Sequence, residues 1–513
     1  MAVGGTVQSS CNQVVREGRL PTFARIALGT RDGDGDRAGR RVTARVLLLA
    51  ALIAPPLQAQ RPPLEAYLPA DHWSRAALRR LAGLGAVAAG DAIIAWPLTR
   101  SRVRQLFDET PYELHFEREF GVASPVHATA EAGWSAHGSQ LRAGVSIPVT
   151  SGPAYQGPDA IPDDVAPALR AAASLSLLDR FVLAASFHDT TGAARFSEAY
   201  AAVRVGPLHA RAGRIPLRLG GATVGGDFVL NEPPPFEGGS LEMPEGFGLP
   251  NPIGRVRPTL LIARMERSGD IRHPWFIAAR VSFSPAHNFT WGLQRAIVFG
   301  GEGNEAVTPR KLIEALIGFT DTENKTTNFE NQMVSGDLFW KLPDIPVSLH
   351  ASWATDDSGE AFINVPAVSI GMDWHVLPFA PSLGLGIEGS VITPAKDTYP
   401  PWYQHIGLGD GWTDRGTPLG HPLGGHGREL LLSVFGTGSD VVFGTAMFVR
   451  HRGRFNLFAP DREGDSFGMG VDGTLHAFGP LRVRMRVDAE RHHRAGWMWG
   501  AGMVAGVTAG TKR

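Results

Sequence analysis

Downstream of residue 60, apolar and polar side chains alternate with a period of two in one segment after another. The clearest runs from Leu481 to Glu490. Leu481, Val483, Met485, Val487 and Ala489 form one face, and Arg482, Arg484, Arg486, Asp488 and Glu490 the other. Further apolar faces are Trp275-Ile277-Ala279-Val281-Phe283, Phe181-Leu183-Ala185-Phe187 and Val347-Leu349-Ala351-Trp353. Near the end, Trp497, Trp499, Ala501, Met503, Ala505 and Val507 alternate mostly with glycine. Strict alternation is the signature of a strand with two unlike faces. Soluble sandwiches and propellers alternate too, but their strands average about five or six residues. These segments run to about ten, the length a tilted strand needs to cross hydrocarbon. Aromatics recur at segment ends, as in an interfacial girdle.

The connections alternate as well. Gly206-Pro207, Gly479-Pro480, Pro343-Asp344-Ile345-Pro346 and Pro378-Phe379-Ala380-Pro381 join strands tightly. Between them lie long stretches at about 218–272, 299–330 and 392–428. Short periplasmic turns and long extracellular loops are the pattern of an outer-membrane barrel, and about 25 residues per strand with its loop predicts roughly 16 to 20 strands. The proline-rich part, Asn231 to Arg257, carries Glu232, Glu237, Glu242 and Glu245 and is expected to fold inward; an acidic loop would repel an acidic glycan.

Helical spacing appears before the strands. One amphipathic segment covers Asp71 to Leu84, with Leu78, Leu81 and Leu84 apolar; a second starts at the N-cap Thr99 and carries Val103, Leu106 and Phe107. Both are too short to be stable alone, so they are expected to pack into the barrel mouth. A third is predicted from Thr308-Pro309, with Leu312, Ile313, Leu316 and Ile317 on one side, inside an extracellular loop.

The apolar run Val46 to Ala54 follows Arg40, Arg41 and Arg45 and ends in Pro55-Pro56-Leu57-Gln58-Ala59. Basic flank, short apolar core and small terminal residue describe a signal peptide over 42–59, cut after Ala59. Residues 1–41 then read as a non-native or disordered extension, with the true start near Val42. Asp32-Gly33-Asp34-Gly35-Asp36 lacks the glutamate of a calcium loop. The resulting division is extension 1–41, signal 42–59, periplasmic helical plug 60–110 and outer-membrane barrel 111–513.

Composition supports this division. The chain has 513 residues and a formal net charge of -1, which argues against nucleic acid as a partner. The single cysteine, Cys11, leaves the hydrogen-bond ladder to hold the fold. Closing the sheet leaves no edge unpaired.

Three segments resemble the capsule assembly protein Wzi family. Leu78-Arg79-Arg80-Leu81-Ala82-Gly83-Leu84-Gly85 with Trp96-Pro97-Leu98-Thr99-Arg100 is similar to the family's opening. Asn331 to Leu338, Lys341-Leu342-Pro343 and Trp353 to Asp357 resemble its central strand pair. Gly411-Trp412-Thr413 and Leu419 to Gly427 resemble its late glycine-rich segment. The resemblance covers most of residues 62–513. It implies an eighteen-stranded barrel, a helical bundle at the periplasmic end, loops closing the top, and a lectin-like role holding capsular polysaccharide. The N-terminal extension and the ending Thr511-Lys512-Arg513, which lacks a terminal aromatic, depart from the pattern.

No nucleophile elbow, zinc-protease helix, P-loop or cysteine metal motif is present, so no enzyme, metal or other cofactor is expected. His405, His421 and His426 with Asp410 and Asp414 form a loose metal candidate, but loop histidines are more often solvated; His492-His493 reads the same way. Glycan recognition uses aromatic rings and charged forks. Trp402, Tyr403, Asp410, Trp412, Asp414 and Arg415 have that composition, with girdle placement as the competing reading for the aromatics. Arg482, Arg484 and Arg486 form a lumen-facing basic row, either an anion path or a salt-bridge ladder. The ladder is favoured because Asp488 and Glu490 continue the face.

The expected protein is therefore an all-β membrane protein: a large antiparallel transmembrane β-barrel of about 18 strands, with a small N-terminal helical plug and long extracellular loops. Its expected partners are capsular or extracellular polysaccharide and outer-membrane lipid, and it is expected to be monomeric. A porin or oligosaccharide channel is the alternative, and a hydrolase the weakest reading.

Overall fold

The computed structural model describes residues 64–68, 72–93, 96–120, 124–138, 165–189, 195–220, 224–231, 235–268, 271–303, 308, 310, 330–356, 367–393, 402–403, 412–414, 417–457, 462–478, 481–494 and 496–510. The signal segment, the extension and nearly all of the predicted 308–317 helix lie outside these residues.

Eighteen long strands form one antiparallel sheet among the described residues. In chain order they are β1 (Val126–Gly138), β2 (Val165–Leu177), β3 (Phe181–Asp189), β4 (Arg195–Val205), β5 (Leu208–Ile215) and β6 (Phe236–Glu242). Next come β7 (Arg255–Arg264), β8 (Trp275–Ala286), β9 (Phe289–Phe299), β10 (Glu330–Lys341), β11 (Val347–Asp356) and β12 (Ala367–Trp374). The last six are β13 (Leu383–Ile392), β14 (Gly427–Thr437), β15 (Val441–Arg452), β16 (Gly464–Phe478), β17 (Leu481–His492) and β18 (Gly496–Gly510). Each pairs with its neighbour in sequence, and β18 pairs back onto β1 from Trp499 to Gly510. The sheet is a closed barrel.

Its faces invert the order of a soluble protein. Leu183, Ile370, Leu430, Val449, Met485, Val487 and Val507 point outward and are exposed. Arg280, Gln294, Asp337, His350, Glu388, Arg450 and Glu490 point inward and are buried. Exposed apolar surface costs about 25 cal/mol per Å² in water, so this exterior requires hydrocarbon around it.

The expected loop over 218–272 is corrected: it contains two barrel strands, β6 and β7. In β6 the sequence Phe236-Glu-Gly-Gly-Ser-Leu-Glu242 hides its alternation. Its Glu242 reaches Tyr67 and Arg211 inside the barrel.

Among the described residues four helices precede the strands: α1 (Ser74–Leu84), α2 (Ala89–Ala92), α3 (Arg100–Phe107) and α4 (Glu113–Phe120). In α1, Leu78 and Leu81 are buried as predicted, but Leu84 is exposed at the last turn. Gly85 ends the helix in the left-handed conformation (φ 77°), its N–H donating to the Ala82 carbonyl. Thr99 caps α3 by accepting the Arg102 N–H at 3.2 Å, and Val103, Leu106 and Phe107 are buried. Helix α4 was not predicted, so barrel structure begins at Val126 and not at 111. Trp73 stacks on Phe107 (5.6 Å, 14°) and donates its indole N–H to Glu119 at 2.7 Å, tying α4 into the bundle.

The bundle sits at the short-turn end. Arg80 donates to the Pro381 and Ser382 carbonyls, both at 2.7 Å, in the turn between β12 and β13. His115 Nε2 lies 2.9 Å from the Gly438 carbonyl, and Arg118 pairs with Asp440, both in the turn between β14 and β15.

Candidate functional site

The long-loop end is closed from within. Residues 224–231, from the connection between β5 and β6, enter the lumen. Asp227 Oδ1 accepts the Val229 and Leu230 N–H groups at 2.8 Å and the Gln294 amide at 2.7 Å. Burial is the main cause that pushes its carboxyl above the usual range, aided by Asp337 and opposed by the Leu230 and Val229 N–H groups and Arg280.

Glu388 on β13 holds the start of the same segment. Its carboxylate accepts the Val224 N–H at 2.7 Å and the Gly225 N–H at 2.9 Å. It also accepts Ser369 Oγ at 3.0 Å and faces His350 Nε2 at 2.9 Å. Arg79 of α1 donates to His350 Nδ1 at 2.9 Å, which leaves the proton on Nε2, directed at Glu388. Arg79 also donates twice to Asp373, at 3.1 and 2.8 Å. A continuous polar chain thus joins the helical bundle to the inward loop.

A second connection, between β13 and β14, supplies the rest of the closure. Trp402, Tyr403, Trp412, Leu419 and Leu423 share one core with Phe228, Val229, Leu230, Phe236 and Phe276. Tyr403 donates to the Phe228 carbonyl at 2.6 Å and accepts the His421 N–H at 2.9 Å. The Trp412 indole donates to the Val229 carbonyl at 2.6 Å. Asp414 Oδ1 accepts the Glu266 and Arg267 N–H groups at 3.1 and 3.3 Å. Two glycines make the close approach possible: a Cβ on Gly420 would lie 2.3 Å from the Tyr403 hydroxyl, and one on Gly425 (φ +97°) 2.7 Å from the Trp402 carbonyl oxygen.

His421 lies flat on Phe228 (5.1 Å, 24°), with Nδ1 accepting the Leu423 N–H at 3.2 Å. Burial lowers its pKa to about 3, with Arg450 and Arg452 adding to the effect and Glu388 opposing it. His421 is therefore a neutral element of the seal.

These positions correct the sequence reading of the aromatics. Trp402, Tyr403 and Trp412 are 3%, 0% and 0% exposed. They are neither glycan platforms at the surface nor girdle residues at the lipid interface. A Gly/Pro-rich loop of large aromatics loses less free energy by folding inward, where indole and phenol find carbonyl partners. Asp414 is likewise buried; His405, Asp410 and Arg415 lie outside the described residues. His426 stacks on Phe455 (5.7 Å, 27°), apart from the His421 stack. Among the described residues no group of three or more His, Cys, Asp or Glu is placed to hold a metal.

Arg482 and Arg486 of β17 enter ion pairs on the inner side of the sheet. Arg482 pairs with Glu119 of α4 and Glu131 of β1. Arg486 donates to Asp488 at 2.6 Å, and Glu490 accepts from Arg452 at 2.9 Å. Arg450 Nε donates to Glu429 at 2.6 Å. The row, with Arg484 on the same face, is part of a charge ladder crossing the lumen and reaching the helices.

The sequence reading did not single out Glu388, His350 or Asp227. A signal existed for the first two: each is an ionisable residue at a lumen-facing position of an alternating strand. Asp227 sits in a loop without periodicity.

A family model described as Capsule assembly protein Wzi matches residues 109–489. Among solved structures, the chain is similar to Wzi of Escherichia coli, described as an outer-membrane protein involved in group 1 capsule assembly and a carbohydrate-binding β-barrel. The two share 16% identity over 87% of this chain and 100% of that one, with a TM-score of 0.68. Pseudomonas aeruginosa OccK11 (OpdR) matches at 11% identity over 75% of this chain and 95% of its own, TM-score 0.45. OprD of the same organism matches at 8% identity over 76% and 96%, TM-score 0.43. No curated protein matches the chain.

Proposed function

The chain belongs to the capsule assembly protein Wzi family, and from that premise we propose that it is a non-catalytic outer-membrane barrel holding capsular or extracellular polysaccharide on the cell surface. The short turns and helices then face the periplasm, and the sealed loop end faces outward. The observation that carries this reading is the closure itself. Residues 224–231, 412–414 and 417–425 contribute to a packed core across the mouth, held to the wall by Glu388 and tied together by Tyr403. A barrel so closed offers its outer surface to glycan more readily than a passage. The solved Wzi described as carbohydrate-binding shares the barrel fold. Asp410 and Arg415 remain the loop residues proposed for glycan contact; Trp402, Tyr403, Trp412 and Asp414 are buried.

The test is a deletion strain stained for cell-bound and shed polysaccharide. A shift from bound to shed is expected, restored by the intact gene. Unchanged retention would remove the attachment role. One observation favours the channel reading: a cavity of about 110 Å³ lies between α1 and the inner wall, lined by Gly384, Gly386, Gly444, Asp373 and Asp472. Steady open-channel conductance of the purified protein in a planar bilayer would support that reading over the closed barrel.

A further inference from the structure

We propose that the outward rim over β14–β17 is a binding site for a phosphorylated lipid headgroup. Side-chain parity carries the argument. On β15, Arg450 and Arg452 point inward and are buried, whereas Met447, Val449 and His451 alternate with them on the outside. Arg428 shares the outward face with Leu430, and Asp465 with Phe467 and Met469. On β17, Arg491 continues the outward column of Met485 and Val487. The rim residues therefore stand directly above lipid-facing side chains and not above the sealed mouth.

Register places them side by side. Arg428 is opposite His451, and His451 is opposite Asp465. The His493 N–H donates to the Asp465 carbonyl at 3.1 Å, which extends the row to a fourth strand. With strands about 4.8 Å apart, the row is about 15 Å wide, the span of a disaccharide-sized headgroup. Its acids are Asp465, 2.7 Å from His451 Nδ1, and Glu463, 4.0 Å from Arg494. Arg428 and exposed Arg491, which lies 5.9 Å above the Trp497 ring, carry the remaining positive charge.

A guanidinium matches a phosphate with two parallel hydrogen bonds. One level nearer the membrane, Leu430, Val449, Phe467, Arg491 and Trp497 lie opposite one another in a single row, so apolar side chains for acyl chains stand below Arg428 and on both sides of Arg491. A lipid bearing phosphate on its headgroup satisfies both halves at once. A surface polysaccharide has no acyl chain to lie on that surface. The row over β5–β8 is a natural contrast: Glu237 stands opposite both Arg214, 3.4 Å away, and Arg264, so its two arginines share one carboxylate.

The experiment is native mass spectrometry of the purified full chain in detergent, with diphosphorylated lipid A as probe. The wild type is expected to retain it, and to hold the dephosphorylated lipid at least tenfold more weakly. Arg428→Gln with Arg491→Gln should reduce retention at least tenfold, whereas Arg214→Gln with Arg264→Gln should not. The charge-preserving pair Arg428→Lys and Arg491→Lys should recover part of the binding, which separates charge from folding. Equal retention by the Gln pair overturns the proposal, as does indifference to phosphate. So does a Gln pair that loses a polyuronate ligand while keeping the lipid.

Discussion

At the scale of single residues, the closure depends on protonation. His421 is neutral in the folded chain, its pKa lowered to about 3 from an ordinary 6.5 by burial. Between those values the unfolded chain binds a proton that the folded chain does not. The stabilising contribution is therefore present above about pH 6.5 and is lost as the pH falls toward 3. The slope for one such group is about 1 kcal/mol per pH unit. Protease cleavage within 412–425 is expected to speed up at pH 5 relative to pH 7.5. His421→Asn, which keeps an acceptor for the Leu423 N–H, should flatten that dependence; a variant with the wild-type slope would assign it to another group. Burial of this kind was not legible beforehand. Histidine, tryptophan and tyrosine in a glycine-rich loop suit a surface site and a buried seal equally well, and the choice depends on partners supplied by residues 228–230, far away in sequence.

At the scale of elements, the legibility differs between helices and strands for a physical reason. Helices α1 and α3 could be read because a cap and a 3.6-residue stripe are local signals. Helix α4 escaped because its apolar positions, Phe116 and Phe120, are sparse among charges that find partners in the barrel, such as Glu119 with Arg482 and Arg118 with Asp440. The helices should tolerate loss of a cap better than loss of their shared core. Thr99→Ala is expected to cost about 1 kcal/mol. Trp73→Ala removes a stacked, hydrogen-bonded indole and should cost about 3–5 kcal/mol. Limited proteolysis of residues 72–120 in the detergent-solubilised barrel reads the difference; equal protection in both variants would show that the wall alone holds the helices. Strands β6 and β7 were missed because glycine and proline interrupt their alternation, while hydrogen bonding to β5 and β8 still includes them in the ladder.

At the scale of the whole molecule, the chain Arg79–Asp373–His350–Glu388 to the Val224 and Gly225 N–H groups links both ends of the barrel. Hydrogen bonds to a charged group are worth about 1.5–3 kcal/mol each, so Glu388→Gln should release the inward loop. The expected outcome is bilayer conductance above that of the wild type. Arg79→Gln combined with Glu388→Gln should give less than the sum of the single effects, because both cut one network. Unchanged conductance in Glu388→Gln would mean that the hydrophobic core around Trp412 closes the mouth unaided. The sequence by itself determined the class of fold, the strand faces and the approximate strand number. Each of these follows from a period of two and from the distance a strand must span, both local properties. Tertiary structure alone decided which loops turn inward, which aromatics become core, and how the lumen charges pair. Those outcomes depend on groups brought within 3 Å across the barrel, between positions separated by up to several hundred residues, and no local pattern encodes such a distance.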